Sequence, residues 1–250
     1  MSCGPECRSS QRCGFDEIIG ALAVLGTPLY RIITVEREYG CGGGEIAREL
    51  SVRLGWKLWD QALTQEIAKL ANVECSAVER CEERVESTFY RMAKVFWRGS
   101  NERSMALPGS HGFDADQMVE IGQHVMEDAA RAGNCVIVGR GAPYFLRQHS
   151  NAFHVFLYAC RTEKLRRILA LGKTEQEAND LLDTVDGERI AFVKHYFDAD
   201  WPTRGLYHLM INTAIGNENV ISTILNTMQI MEQESSPNLA RSCEPVASES

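Results

Sequence analysis

The stretch Tyr30–Leu54, YRIITVEREYGCGGGEIARELSVRL, constrains this chain more than any other. It opens with an apolar, β-branched run, Ile32, Ile33 and Val35, that reads as a buried strand. The chain then turns through Glu36–Tyr39 into Gly40, Cys41, Gly42, Gly43 and Gly44. A helix follows, with Ile46, Ala47, Leu50 and Leu54 on one face. Strand, glycine turn and helix N-terminus in that order make a ready anion site. Glycine lets backbone N–H groups converge, and the unpaired N–H groups and dipole at a helix start favour negative charge. Phosphate is the usual guest.

The strong form of that signal is G-x-x-x-x-G-K-[ST], and the stretch departs from it. With Gly42 as the second glycine, Arg37 stands at the first and Gly43 at the lysine. Gly44 or Glu45 takes the place of the hydroxyl that would hold magnesium. The dinucleotide fingerprint G-x-G-x-x-G fails as well, since the third glycine is Glu45, although Asp60 lies twenty residues after Gly40. A tight strand-to-helix turn that binds nothing is the plain alternative.

A chain of 250 residues can bury one sizeable core with a small lid. A net charge of −8 argues against a nonspecific nucleic-acid or anionic-membrane surface, while leaving room for a local arginine cluster on a phosphate ligand. The longest apolar run, Ile18–Leu25, is too short to span a bilayer, and Asp16 and Glu17 before it spoil a signal-peptide pattern. Nine cysteines without a C-x-x-C read as reduced thiols, with Cys135 and Cys160 as small core residues, and point to the cytoplasm. Cys3, Cys7 and Cys13 make no supported metal site, and no metal ligand is assigned from the sequence.

Residues 1–27 read as a flexible arm, and 28–233 as the domain. Trp56–Trp59 is a short strand after a Gly55 C-cap, and a helix over Leu63–Ala71 follows. Asp60, at the carboxyl end of that strand, either touches ligand or caps the next helix. Ser76–Trp97 reads as a charged helix and Gly99–Gly112 as a polar loop containing Arg103 and His111. A helix from Asp116 leads to the strand Cys135–Val138 and then to Gly139-Arg140-Gly141. An arginine between two glycines at the end of a buried strand is explained by a bidentate grip on phosphate, or by a salt bridge to a nearby carboxylate.

Phe153–Tyr158 is the next strand, and the helix after it carries Arg166 and Arg167. Thr174 and Glu177 form a capping-box pattern ahead of a segment, Ala178–Phe197, that presents Arg189, Lys194 and His195. Such cations either close over phosphates or make i,i+4 pairs on a solvated helix. Trp201-Pro202 is expected to break that helix, so that the lid spans about 172–204. Tyr207–Ile211 reads as the last strand, Val220–Met231 as a closing helix, and residues 234–250 as a disordered tail.

Strands followed by helices five times over predict a three-layer α/β/α fold with a five-stranded parallel sheet. Over about Tyr30–Met231 the chain resembles the cytidylate kinase-like family, P-loop relatives of the nucleoside monophosphate kinases. The resemblance is carried by ITVEREYGCGGGEIARELSVRLGWKLWD, VIVGRGAPYFL, VFLYACRTEKLRRI, VDGERIAFVKHYFDADW and YHLMINT. It implies transfer of the ATP γ-phosphoryl group, with Mg2+, to a nucleoside monophosphate such as CMP, and small nucleotides as partners. It places the donor-phosphate cradle on Arg37, Gly40, Cys41, Gly42, Gly43, Gly44 and Glu45, and the acceptor on Asp60 and Arg140. It gives catalytic charge neutralisation to Arg140, Arg167, Arg189 and Lys194. Relatives carry arginine where Gly44 stands and aspartate where His208 stands, and the family lacks the loop lysine, for which Arg37 or Arg48 is a candidate substitute. A nucleotide-binding module without turnover is the competing reading.

Overall fold

In the computed structural model, strand β1 (Ile32–Arg37) lies at the centre of a five-stranded parallel sheet. Strands β3 (Cys135–Val138) and β4 (Ala152–Tyr158) flank it, with β2 (Lys57–Trp59) and β5 (Leu209–Asn212) at the edges. Residues 28–70 and 115–235 are described. The expected arm over 1–27, the helix Ser76–Trp97, the loop Gly99–Gly112 with Arg103 and His111, and residues 236–250 of the expected tail lie outside the described residues.

The sheet is buried on both faces, as its near-continuous apolar strands require. Along β1 the side chains alternate. Ile33 and Val35 pack with Val136, Val138, Phe153 and Val155 under α1 (Gly43–Leu54) and α7 (Asn217–Ser235), through Ile46, Leu50, Ile221 and Ile224. Ile32 faces the other way with Cys135 and Ile137, against Leu63 and Ile67 of α2 (Gln61–Leu70) and Val125 and Met126 of α3 (Ala115–Ala132). Parallel pairing of β1 with β3 aligns Val35 with Val138, and pairing with β4 aligns Arg37 with Leu157. The carboxyl ends of the three central strands therefore open at one level, where open α/β sheets take their ligands.

Two helices close over that end. α5 (Arg161–Ala170) and α6 (Glu175–Phe197) share a small core of Ile168, Ala178, Leu182 and Val185 that seats Tyr39 of the glycine loop. The expected capping box forms at the start of α6, where Thr174 Oγ1 accepts from the Glu177 amide at 3.3 Å and Glu177 accepts from the Thr174 amide at 2.9 Å. The helix ends where the segment Ala178–Phe197 put it, though not by the expected means. It stops at Phe197 because Asp198 adopts a left-handed conformation (φ 47°), before the Trp201-Pro202 pair is reached. The last strand begins at Leu209, since a short 3-10 turn, Arg204–Leu206, occupies the chain just ahead of Tyr207. No helix among the described residues is long and apolar enough to cross a membrane.

Candidate active site

The glycine loop joins β1 to α1. The Glu38 amide still pairs with the Leu157 carbonyl at 2.9 Å, so the loop proper begins at Tyr39. Gly42 is the N-cap residue of α1 in a left-handed conformation (φ 81°), which a side chain would disfavour. The first amides of α1 have no preceding helical turn to donate to, the arrangement that suits an anion at a helix start. Cys41 is fully buried, its thiol pushed up to about 11 by burial, so it packs and does not react. Glu45 is turned outward and accepts from the side-chain amide of Asn217 at 3.0 Å. Gly44 is half-buried. Gly40 admits Ile168 of α5, which a side-chain carbon at that position would meet at 2.9 Å.

Arg167 lies along the outside of this loop. Its guanidinium donates to the Cys41 carbonyl, to Thr213 Oγ1 at 2.8 Å and to the Thr213 carbonyl at 3.1 Å, and it pairs with Glu163 at 2.9 Å. Thr213, wholly buried at the end of β5, also donates to the Cys41 carbonyl at 2.7 Å. Arg167 of α5, the loop and the last strand are thereby tied together.

On the inner side a narrow, solvent-open cavity lies between the sheet and α6. Glu36, Arg37, Arg140, Glu188 and Arg189 line it, with Phe192 and Trp201 as its aromatic wall. The three arginines are 5%, 5% and 9% exposed, which is rare for guanidinium groups and costly without an anion to meet them. Arg140 sits at φ 56° between Gly139 and Gly141, which are also left-handed. That turn sends its side chain across to the end of β2, where it donates to the Asp60 carbonyl at 2.8 Å and to Thr64 Oγ1. Burial, with the charge of Arg37 adding to it, lowers the Arg140 pKa to about 10 against the pull of Asp60. Arg37 is likewise lowered, by burial first and by Arg189 second, with Glu36 and Asp60 opposing. Arg189 reaches from α6 to donate to the Arg37 carbonyl at 2.8 Å and to Asp186 at 2.9 Å. Asp186 in turn accepts from the Tyr39 amide at 2.8 Å, and Lys164 bridges Asp186 and Glu38 at 3.5 and 2.6 Å. α5 and α6 are held to the loop through this chain of charges.

Arg37, Arg140 and Arg189, far apart in sequence, meet in one cavity, and Arg167 meets the loop. Asp60 uses its carbonyl to hold Arg140 and follows directly on β2, at the start of α2. Lys194 is elsewhere: it is 62% exposed and pairs with Asp198 at 2.6 Å. Arg48 is also on the surface, against Glu49 at 3.8 Å. His208 stands outside the cavity, stacked on Phe153 with ring centroids 4.9 Å apart. Sequence reasoning missed Glu36, Glu188, Thr213 and the aromatic wall. Glu36 carried the one available signal, a carboxylate at a strand position that is 3% exposed. Cys160, expected in the core, is exposed at the N-cap of α5, since β4 ends two residues before it.

A metal finds little preformed here. Positions 43 and 44 offer no hydroxyl, and among the described residues no group of three His, Cys, Asp or Glu side chains could hold an ion.

The model of the cytidylate kinase-like family matches residues 32–215. Among solved structures, an uncharacterized protein from Eubacterium ventriosum is 19% identical with a TM-score of 0.57, covering 80% of this chain and 98% of that one. Shikimate kinase from Acinetobacter baumannii (17% identity, TM-score 0.44, 84% and 97% covered) and a gluconokinase from Sinorhizobium meliloti (12%, 0.45, 83% and 97%) also match. No curated protein matches.

Proposed function

The chain belongs to the cytidylate kinase-like family, and from that premise we propose that it transfers the γ-phosphoryl group of ATP to a nucleoside monophosphate, CMP foremost. Family and fold support a nucleotide-binding phosphotransferase in general; the acceptor is our reading. The observation that carries it is the convergence of Arg37, Arg140 and Arg189 in one cavity beside the glycine loop.

ATP lies with its phosphates on the opening amides of α1 and against Arg167. The monophosphate enters the cavity, its phosphate on Arg140 and Arg189 and its base against Phe192 and Trp201. An acceptor phosphate oxygen forms its bond to the γ-phosphorus as the bond to the bridging oxygen of ADP breaks. Positioning and charge neutralisation carry nearly all of such catalysis, and buried guanidinium groups act there with little reorganisation. The protein offers magnesium no ligand at loop positions 43 and 44, so any magnesium would have to be held by the nucleotide itself, where it would add to the charge neutralisation. The partners are small nucleotides, with no nucleic acid or membrane, and the compartment is the cytoplasm.

A coupled assay with ATP and a panel of monophosphates tests this. The expected result is turnover with a cytidine or other pyrimidine monophosphate. A folded protein whose melting temperature rises with ATP, yet which turns over no acceptor, would instead support a nucleotide-binding module. The absence of a lysine and of a hydroxyl at positions 43–45 favours that second reading.

A further inference from the structure

We propose that Arg37 supplies, from the first position of the glycine loop, the cation that a G-x-x-x-x-G-K loop draws from the lysine at its end. This rests on the phosphotransfer reading above and names the group that touches the moving phosphoryl.

Arg37 leaves β1 at the residue where that pattern has its first glycine. Its side chain then runs back along the loop rather than away from it. A side-chain carbon at Gly43 would lie 2.8 Å from Arg37 Cβ and 2.9 Å from Cγ. Position 43 is where the lysine belongs, so the stem of Arg37 fills the space a lysine stem needs. The missing lysine and the buried arginine are one exchange: the chain has room for one of them.

The guanidinium ends between the start of α1 and the carboxyl end of β3. It lies against Gly139 at the carboxyl end of β3, where any side-chain carbon would fall inside it. From there it faces the cavity that Arg140 and Arg189 also line. A group passing from a nucleotide on α1 to an acceptor on Arg140 must pass this point. The packing against Glu36, whose carboxylate is 3.6 Å away, explains how the charge is held in the resting protein. Burial and the nearby Arg189 still outweigh the carboxylates and depress the Arg37 pKa, so an arriving anion relieves an existing strain on its charge. During transfer Arg37 keeps its proton. It neutralises charge on the γ-phosphoryl oxygens while the bond to ADP breaks and the bond to the acceptor oxygen forms.

The exchange gives a direct test. Arg37→Gly should lower turnover about 10²–10³-fold, the scale for losing one transition-state donor. Gly43→Lys in the otherwise unchanged protein should also lose activity, because two stems compete for one space. The double variant Arg37→Gly/Gly43→Lys rebuilds G-x-x-x-x-G-K and should recover at least about tenfold over Arg37→Gly. A purely structural Arg37 gives no such recovery. Turnover of Arg37→Gly within about threefold of wild type, or loss without recovery in a folded double variant, would overturn the inference. Should Arg37→Gly fail to fold, Arg37→Lys is read by calorimetry: the ratio of affinities for a non-hydrolysable ATP analogue and for ADP should fall, and an unchanged ratio counts against it. A wild-type protein that neither binds ATP nor turns over any acceptor sinks the phosphotransfer reading itself, whereas an active wild type indifferent to position 37 sinks only this inference.

Discussion

Strand β1 buries polar groups at two places, and the two are treated differently. At mid-strand, Thr34 is wholly buried and shares a 2.7 Å hydrogen bond with His154 Nδ1 of β4. The His154 amide donates to His208 Nδ1 at 2.9 Å, and the two rings lie 5.5 Å apart. These groups are neutral: burial first, then the neighbouring His208 and His149, holds His154 down at about 4. Two and three residues on, Glu36 and Arg37 are buried with their charges beside Arg140 and Arg189. A neutral polar cluster whose members satisfy one another adds cohesion to a sheet. A buried charge cluster lining a cavity is poor at that, and at the carboxyl ends of the strands it is the candidate for ligand contact. The first should govern stability and the second activity.

The largest effect expected from this contrast is on turnover. Arg140→Met should cut the rate about 10²–10³-fold, as loss of one charge-stabilising donor does. Its melting temperature should fall by several degrees, because the Asp60 carbonyl and Thr64 hydroxyl lose their donor, yet leave the protein folded at the assay temperature. A coupled assay beside a thermal melt checks both. A fall in melting temperature that accounts for the lost activity would erase the distinction between the two clusters.

The mid-strand cluster should show itself in acid. His154 carries a folded pKa of about 4 against an ordinary 6.5, so below pH 6.5 the unfolded chain takes up a proton that the folded chain refuses. Its contribution is therefore complete above pH 6.5 and lost as pH falls, by roughly 3 kcal/mol at pH 4. His154→Gln keeps an acceptor for Thr34 and removes the titration. Urea unfolding from pH 7 to 4 should give a shallower acid slope for the variant, with turnover at pH 7 retained. An unchanged slope would mean that carboxylates alone drive acid unfolding.

These contrasts were unevenly legible from sequence. The strand, the glycine turn and the helix of residues 30–54 follow from local periodicity and glycine chemistry, and all three are present. Arg140 was readable because two glycines flank it, and only a special backbone needs that. Which partners it and Arg189 meet was not readable. Arg189 bonds the carbonyl of Arg37, 152 residues away, and the register of α6 over the sheet is set by Phe192 and Val193 packing on the core. Glu36 was passed over as part of the turn because the strand runs two residues further than its apolar run suggests. What stops α6 was misread, although its end at Phe197 was not, because proline is a louder signal than an aspartate in a left-handed conformation.

Arg167 should sit between the extremes. It is 20% exposed and holds the loop from outside through the Cys41 and Thr213 carbonyls. Arg167→Ala should weaken ATP binding about tenfold, the worth of one charge-assisted hydrogen bond in a half-open site, and leave the affinity for the monophosphate unchanged. Calorimetry with each nucleotide separately checks this. Equal weakening of both would join the donor and acceptor sites into one electrostatic unit.

Lys194 should give the smallest effect, and it tests burial as the marker of function. Sequence proximity grouped it with Arg189, but five residues along an α-helix turn a side chain by about 140°, away from the cavity that Arg189 faces. It pairs with Asp198 at the end of α6, where a cation also suits the helix dipole, and that partner raises its pKa. Lys194→Ala should change turnover by less than about twofold, as for most surface substitutions. A tenfold loss would require the end of α6 to swing its exposed face inward during the reaction. Exposure in the resting protein would then say nothing about which charges meet the phosphates, and the contrast between the two clusters of β1 would lose its predictive use.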